Sequence, residues 1–133
     1  ITNTNYKGTS WQVIQGALKW VSVGQAGVWG VNSADTIFYR TGTGNGAVTS
    51  GTGWNEIAGG LNQISSGYDV VWGVNARDDI YIRLGITAAN PLGTTWSQIS
   101  GLLKQVSVSA TTNHVWGVNA NNAIYRRNSV TSP

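Results

Sequence analysis

The sequence predicts an all-β fold, and three observations indicate it: the residue composition, a unit that occurs three times, and the spacing of short apolar runs within each unit. The chain of 133 residues holds 18 Gly, seven Trp and five Tyr, with no Cys or Met and only 10% charged residues. Gly favours tight turns and aromatic residues favour strands, whereas a helical bundle would need more Ala, Leu, Glu and Lys. Because 41% of the residues are hydrophobic, we expect one folded domain over residues 1–133.

The repeated unit is marked by the sequence Val-Trp-Gly-Val-Asn, which occurs unchanged at residues 28–32, 71–75 and 115–119. The motif Trp-x-x-Ile-x-Gly-x-Leu precedes each copy, and a run of Ile, an aromatic residue, any residue and Arg follows it. Motifs that recur in the same order indicate internal repetition of one structural element. The three units cover about residues 8–50, 51–92 and 93–133.

Each unit contains four short apolar runs separated by Gly, Asn, Asp and Ser. In the second unit these runs cover residues 54–57, 63–65, 70–74 and 80–83, and an Asn-x-x-Asp turn joins the third run to the fourth. Short runs of this composition between turn residues predict strands. Four strands in about 43 residues is the size of one β-propeller blade, so we expect three four-stranded blades.

The central strand of each unit carries apolar residues on both faces, which indicates a sheet covered on both sides, as in a blade packed between two neighbours. Its Gly would let a neighbouring side chain or backbone approach closely. The alternative fold is a β-trefoil, which also has three repeats of this length. Trefoil lectins of the ricin type carry Gln-x-Trp late in each repeat, and no Trp of this chain has Gln two positions before it. The propeller is therefore favoured.

Three blades cannot close a ring, because propellers typically have four to eight. The two terminal blades would each expose an apolar sheet face, and such faces drive association. We therefore expect a two-fold homodimer in which two chains form one six-bladed propeller. If the run at Trp11 is the outer strand of a blade whose other strands come last in the chain, it would complete the final blade of the second chain.

Taken together, these motifs resemble the tectonin repeat, which is known from fish egg lectins and from tectonins of slime moulds and fungi. The resemblance covers about residues 8–128 and includes Val-Ser-Val at residues 21–23 and 106–108, and Asp-x-Ile-x-x-Arg after the central strand. Members of this family are usually single-chain six-bladed propellers, and this chain holds half that number of repeats. The resemblance implies binding of surface glycans, including methylated or N-acetylated sugars, in innate defence. It also implies an extracellular, secreted protein, with a cytoplasmic location as the alternative for a protein of the fungal or slime-mould kind.

Several other functions are not expected. His114 is the only His, and glycoside hydrolysis needs two carboxylates facing each other across about 5 to 10 Å. The adjacent Asp78 and Asp79 would point to opposite faces of a strand, so we expect no enzyme, no metal site and no cofactor. The eight basic residues are scattered apart from Arg126 and Arg127, which argues against nucleic acid as a partner. No apolar stretch approaches the roughly 18 residues of a membrane span, so membrane insertion is not expected.

Carbohydrate binding needs an aromatic face for the sugar ring and a few fixed donors and acceptors for its hydroxyl groups. The candidates are residues that recur in every unit. They are Trp29, Asn32, Arg40, Trp72, Asn75, Arg83, Trp116, Asn119 and Arg127.

Each of these sets also has a structural interpretation. The Trp residues could pack between blades, and the Asn residues could form turns. The Arg residues could pair with the upstream Asp35 and Asp78, although Asn122 takes that place in the third unit. Trp11, Trp54 and Trp96 are expected to be structural.

Two functions therefore remain. One is a multivalent lectin, and the alternative is a protein-interaction propeller that binds no sugar. Low charge, abundant Asn, Gly and Trp, and matching positions in each unit favour the lectin, since a protein partner would not require every blade to match.

Overall fold

The computed structural model describes residues 5–133, which form eleven strands and, within that range, no helix. The strands are β1 (Trp20–Gly24), β2 (Gly27–Val31), β3 (Ile37–Thr41), β4 (Gly53–Ile57), β5 (Gln63–Ser66), β6 (Val71–Val74), β7 (Asp79–Leu84), β8 (Thr95–Leu102), β9 (Gln105–Val108), β10 (Val115–Val118) and β11 (Ile124–Arg126). They form three antiparallel sheets: sheet 1 is β1–β4, sheet 2 is β5–β8 and sheet 3 is β9–β11. The expected all-β class is confirmed.

Sheets 1 and 2 each take their outer strand from the sequence unit that follows. β4 pairs with β3, which places Arg40 opposite Trp54, and β8 pairs with β7, which places Arg83 opposite Trp96. The sheets are therefore offset by one strand from the sequence units. The expected pairing of the Trp11 run with the last sheet of a second chain depends on this offset.

Sheet 3 departs from the expectation of three four-stranded blades, because it has three strands. The run at Trp11 was expected to be a strand, and it forms none. A strand requires a hydrogen-bonding neighbour, and within residues 5–133 this run joins none of the three sheets. The Trp11 side chain is 100% exposed.

The turn between the second and third strands of sheets 1 and 2 is the expected Asn-x-x-Asp turn, and Asn122 takes the Asp position in sheet 3. The backbone N–H of Asp78 donates to the Asn75 carbonyl at 3.0 Å, and that of Asp35 donates to the Asn32 carbonyl at 3.0 Å. Asp35, Asp78 and Asn122 all have φ near +66°. Asp and Asn tolerate this left-handed conformation better than other side chains, which explains why the position holds only these two residue types.

The Gly of Val-Trp-Gly-Val-Asn leaves room for the Leu of the upstream motif. A Cβ added at Gly73 would lie 2.5 Å from Leu61 Cδ1 and 2.9 Å from the Gln63 carbonyl oxygen. Gly30 and Gly117 meet Leu18 and Leu103 in the same way. The expected close approach at this Gly is confirmed, and it links the two motifs physically.

The hydrophobic core lies between the sheets in two clusters. Trp29, Ile37 and Tyr39 of sheet 1 pack with Ile64 and Val71 of sheet 2. A second cluster joins sheets 2 and 3 and consists of Trp72, Val74, Ile80, Val106, Val108 and Val115. All of β6 is buried, as expected for a sheet covered on both faces.

Polar side chains of the first strands of sheets 1 and 2 also connect each of these sheets to the next. Ser22 Oγ accepts from the Ser66 N–H at 2.9 Å, and Ser65 Oγ accepts from the Val108 N–H at 3.0 Å. The Gln63 amide group donates to the Val106 carbonyl and accepts from the Val106 N–H, both at 2.8 Å. These buried bonds fix the register of one sheet against the next.

Candidate functional site

The three Trp residues predicted to stack a sugar occupy one position in different surroundings. Trp29 is 0% exposed and donates its indole N–H to the Ala26 carbonyl at 3.0 Å. Trp72 is also buried, and its indole nitrogen has no hydrogen-bond partner in the structure. Trp116 is 53% exposed, because no further sheet covers sheet 3 within the described chain. Trp29 has no open ring face for a sugar, which agrees with its structural interpretation, whereas Trp72 packs in the core and also lines the cavity between sheets 2 and 3.

The three Asn residues form turns through their amide oxygens and leave the amide nitrogen outside the hydrogen bonds of the turn backbone. Asn75 Oδ1 accepts from the backbone N–H groups of Arg77 and Asp79 at 2.9 and 3.0 Å, and Asn32 and Asn119 bind their own turns in the same way. The amide oxygen is therefore committed to the backbone. The amide nitrogen makes only long contacts, to the Asp79 carboxylate at 3.3 Å in Asn75 and to the Tyr125 hydroxyl at 3.4 Å in Asn119. An Asn in this position can donate to a ligand without disturbing its turn.

The predicted Arg residues do not pair with the upstream Asp residues. The ion pairs found in residues 5–133 are Lys19–Asp35 and Arg77–Asp79. Arg40 and Arg83 instead lie over the rings of Trp54 and Trp96, with the guanidinium carbon 5.0 and 5.3 Å from the ring centroid. The ring face attracts the cation and the outer strand covers it.

Arg83 is the more buried of the two, with 9% of its surface exposed. Its Nε–H donates to the Leu92 carbonyl at 3.0 Å, as that of Arg40 donates to the Ser50 carbonyl at 2.9 Å. Burial lowers the pKa of Arg83 below its usual value, although a guanidinium stays charged. Both Arg residues thus attach the outer strand and its loop to the sheet. Arg127 is exposed, because no outer strand among residues 5–133 supplies a Trp to sheet 3.

Replacing Arg83 by Lys is expected to lower the free energy of unfolding by about 1–2 kcal/mol, because Lys loses the planar stacking on Trp96 and the directed bond to the Leu92 carbonyl. The control is Arg40→Lys, which makes the same contacts at a more exposed site and should cost less. Urea unfolding at one protein concentration measures both. Equal costs for the two variants would contradict the role of burial.

The structure reveals a groove between sheets 1 and 2, which we term the inter-sheet groove. It has a volume of about 180 Å³ and is lined chiefly by Gly59, Gly60, Leu61, Asn75, Tyr81 and Trp96. Asn75 is the one predicted site residue in it, and Tyr81 and Trp96 are additions. The hydroxyl of Tyr81 bonds to no protein group among residues 5–133. The groove thus combines two aromatic rings, an amide donor and a hydroxyl at the boundary of two sheets.

A larger cavity occupies the corresponding place between sheets 2 and 3, and we term it the open groove. Its volume is about 510 Å³, and it includes Gly101, Leu103, Asn119 and Tyr125, the counterparts of groove residues in sheets 1 and 2. Arg127 and Trp116 also line it. Four predicted site residues therefore meet in the open groove, since Trp72 lines it as well, although no residue of the described chain takes the place of Trp96.

Tyr81 and Trp96 could have been identified from the repeats. An aromatic residue follows the Ile of every third strand, as Phe38, Tyr81 and Tyr125. Trp96 was assigned a structural role, and its indole N–H does donate to the Ala58 carbonyl at 3.0 Å. The ring can hold the outer strand and still present an edge to the groove.

The described residues contain no group of three or more His, Asp or Glu side chains placed to hold a metal ion. In residues 5–133 no helix has the length and hydropathy needed to cross a membrane.

The family model for the tectonin domain matches residues 1–102. No curated protein matches the chain.

Proposed function

The chain belongs to the tectonin family, as the repeats predicted, and from this premise we propose that it is a multivalent carbohydrate-binding protein. The proposal has two chains forming one six-bladed propeller, with sugars bound at the boundaries between neighbouring sheets. Its natural ligands would be repetitive surface glycans bearing N-acetylated or methylated sugars. An extracellular role in innate defence fits a protein of this kind.

The observation that carries the proposal is the composition of the inter-sheet groove. Tyr81 and Trp96 offer apolar ring surface to the C–H face of a sugar, and the Asn75 amide nitrogen and the Tyr81 hydroxyl offer fixed polar contacts. Aromatic surface combined with a few fixed polar groups is what sugar binding requires. At about 180 Å³ the groove is smaller than sites for drug-sized molecules, so a single sugar ring is the fitting ligand.

The same residue types recur at the next boundary, where Asn119 and Tyr125 replace Asn75 and Tyr81. Repeated weak sites on one rigid body give high avidity on a repetitive surface, because the second contact becomes intramolecular. Absence of charged groups from the groove between sheets 1 and 2 favours neutral sugars over charged ligands. These features favour the lectin over a protein-binding scaffold.

Titration of the isotope-labelled protein with N-acetylglucosamine and with 3-O-methylglucose tests the proposal by NMR. We expect shift changes at the Asn75 side-chain amide and at Tyr81. Replacing Tyr81 by Phe should weaken binding at this groove by about 10-fold, because one hydrogen bond to the ligand is lost. Stability should change little, since Phe38 occupies the same position in sheet 1.

The matched control is Tyr6→Phe, which changes an exposed Tyr outside the groove and should leave binding unaltered. The proposal fails if neither sugar binds the wild-type protein. It also fails if binding persists undiminished in both Tyr81→Phe and Trp96→Leu.

A further inference from the structure

Within residues 5–133, sheet 1 has an apolar face that no other sheet covers. Val23 on this face is 74% exposed, and Val21 is also exposed. Their counterparts in sheet 3 are Val106 and Val108, which are buried against sheet 2. The open face of sheet 1 therefore carries the same residues that sheet 3 buries against the sheet before it.

Sheet 3 has the complementary open face. Its Trp116 is 53% exposed, whereas Trp29, at the same position in sheet 1, is covered by sheet 2. The first strand of sheet 3 also carries Gln105 and Ser107, the counterparts of Gln63 and Ser65. Those two side chains bind the backbone of the following sheet, whereas Gln105 and Ser107 bind nothing in residues 5–133. Sheet 3 thus presents the donors and acceptors that fit the Val21 and Val23 backbone of a sheet 1.

The Trp11 run has the sequence motif of the outer strands of sheets 1 and 2, and sheet 3 has no outer strand among residues 5–133. Trp54 and Trp96 open the outer strands of sheets 1 and 2, where each ring lies under an Arg and each indole donates to a carbonyl of the preceding unit. The run that begins with Trp11 has the same motif and is unpaired. Within residues 5–133, Arg127 has no Trp ring beside its guanidinium group. Ser100 occupies the position of Ala58, whose backbone carbonyl accepts from the Trp96 indole N–H.

The volumes of the two grooves agree with the absence, within residues 5–133, of a Trp beside Arg127. The open groove has the counterparts of the residues in the inter-sheet groove except for Trp96, and its volume is about 510 Å³ against about 180 Å³. One Trp ring placed under Arg127 and beside Gly101 would reduce the open groove toward the smaller form. The larger volume of the open groove therefore agrees with the lack of a Trp side chain on one side of it.

The Trp11 run cannot fill this position in its own chain. The Gln15 carbonyl accepts from Trp54 at 2.8 Å, which fixes this end of the run against sheet 1. Sheet 2 lies between sheets 1 and 3, and two sheet spacings amount to about 20 Å. The four residue steps from Gln15 to Trp11 extend at most about 14 Å. The Trp11 run of the same molecule is therefore excluded as the outer strand of sheet 3.

We propose that the Trp11 run of a second copy of this chain forms the outer strand of sheet 3, and that Trp11 of the second copy is the missing wall of the open groove. Two copies exchange these strands about a two-fold axis, so each open groove is built from both chains. The second copy is the fitting partner because its sheet 1 continues the interface already made twice within the chain. The sugar-binding part of this inference rests on the proposed function.

A disulfide tests the strand pairing without any ligand. The register places Tyr39 opposite Asn55 and Ile82 opposite Ser97, which by repetition places Arg126 opposite Gln12 of the second copy. Cross-strand neighbours lie within disulfide range, and the native chain has no Cys. The double variant Gln12→Cys with Arg126→Cys should oxidise to a covalent dimer, whereas Lys7→Cys with Arg126→Cys should not. Failure of the first pair to cross-link, or equal cross-linking by both pairs, overturns the proposed register.

Sedimentation equilibrium tests the assembly. The wild-type chain should give about 28 kDa, twice its mass of 14.1 kDa. Trp11→Ala should weaken the dimer by at least about 100-fold, since central Trp residues dominate interfaces and the dimer loses two of them. Tyr6→Ala, which removes another exposed aromatic residue near the same end, should leave the dimer intact. A monomeric wild type, a larger assembly, or an unaffected Trp11→Ala variant contradicts the proposal.

Mixing two defective variants tests whether the open groove is shared. At protein concentrations high enough to keep the weakened Trp11→Ala variant dimeric, Trp11→Ala and Asn119→Asp each impair both open grooves of their own dimer. In a mixed dimer one open groove carries both changes and the other open groove carries neither. N-acetylglucosamine binding should therefore reappear on mixing, at the open groove without changes. Loss without recovery contradicts the shared site. Absence of binding by the wild type contradicts the proposed function instead, and the cross-linking and mass results would still stand or fall by themselves.

Discussion

Replacing Trp29 by Ala is expected to lower the free energy of unfolding by about 3–5 kcal/mol, the range found for buried aromatic residues cut back to Ala. Trp29 is fully buried, its ring centroid lies 5.2 Å from that of Tyr39, and its indole N–H is bonded to Ala26. Ala would leave a cavity between sheets 1 and 2 and an unpaired carbonyl. A loss of this size is a large part of the 5–15 kcal/mol typical of a domain.

Urea unfolding followed by circular dichroism at fixed protein concentration measures this loss. The concentration must be held constant because association contributes to apparent stability. Tyr6→Ala is the control, since Tyr6 is exposed and should cost less than about 0.5 kcal/mol. A cost for Trp29→Ala below about 1.5 kcal/mol would show that the ring is not part of the core described above.

Replacing Gly73 by Ala is expected to cost about 1–3 kcal/mol, although it adds a single methyl group to a strand. The methyl carbon would lie 2.5 Å from Leu61 Cδ1 and 2.9 Å from the Gln63 carbonyl oxygen. Overpacking a buried site costs this much when the neighbours cannot move. The Gln63 carbonyl cannot retreat easily, because Gln63 is held in β5 opposite Val74.

A double-mutant cycle identifies the clash. Leu61→Ala alone should be destabilising, because Leu61 is buried. Combined with Gly73→Ala it should cost at least about 0.5 kcal/mol less than the sum of the two single changes, since the smaller side chain makes room for the methyl group. Additive costs would assign the penalty at Gly73 to something other than Leu61.

Much of the fold follows from local pattern. Strands were expected at residues 54–57, 63–65, 70–74 and 80–83, and β4, β5, β6 and β7 lie there. The Asn75–Asp78 turn and the close approach at Gly73 were also predicted, because each depends on residues near each other in sequence or on the size of a single side chain. Local rules of turn and strand formation suffice for these features.

The environment of the Arg residues could not be deduced in this way. Asp78 precedes Arg83 by a few residues and seemed a natural partner, whereas Trp96 belongs to the next repeat. Which outer strand joins which sheet is a matter of long-range pairing, and sequence order alone does not decide it. Once β8 pairs with β7, Trp96 comes under Arg83, and Asp78 is left to adopt its left-handed turn.

The candidate site depended on the same long-range pairing. Asn75, predicted as a sugar-binding residue, lies in the inter-sheet groove, whereas Trp72 of β6 packs in the core and lines the open groove instead. Repetition of a residue in each unit identifies a shared structural or functional requirement without telling which of the two applies. The groove is made by two sheets, so its outline appears only when their packing is known.

The offset between sheets and repeats has a consequence for cooperativity. Proteins built of tandem units can melt one unit at a time when each unit is self-contained. Here β4 belongs to sheet 1, and β5 of sheet 2 begins six residues after β4 ends. Unfolding of either sheet therefore displaces a strand that is covalently connected to the other sheet. Deleting one repeat would cut through two sheets, and thermal fluctuations in one are transmitted along the backbone to its neighbour. The chain therefore resists piecemeal melting through the way its strands are shared out, in addition to the packing between its faces.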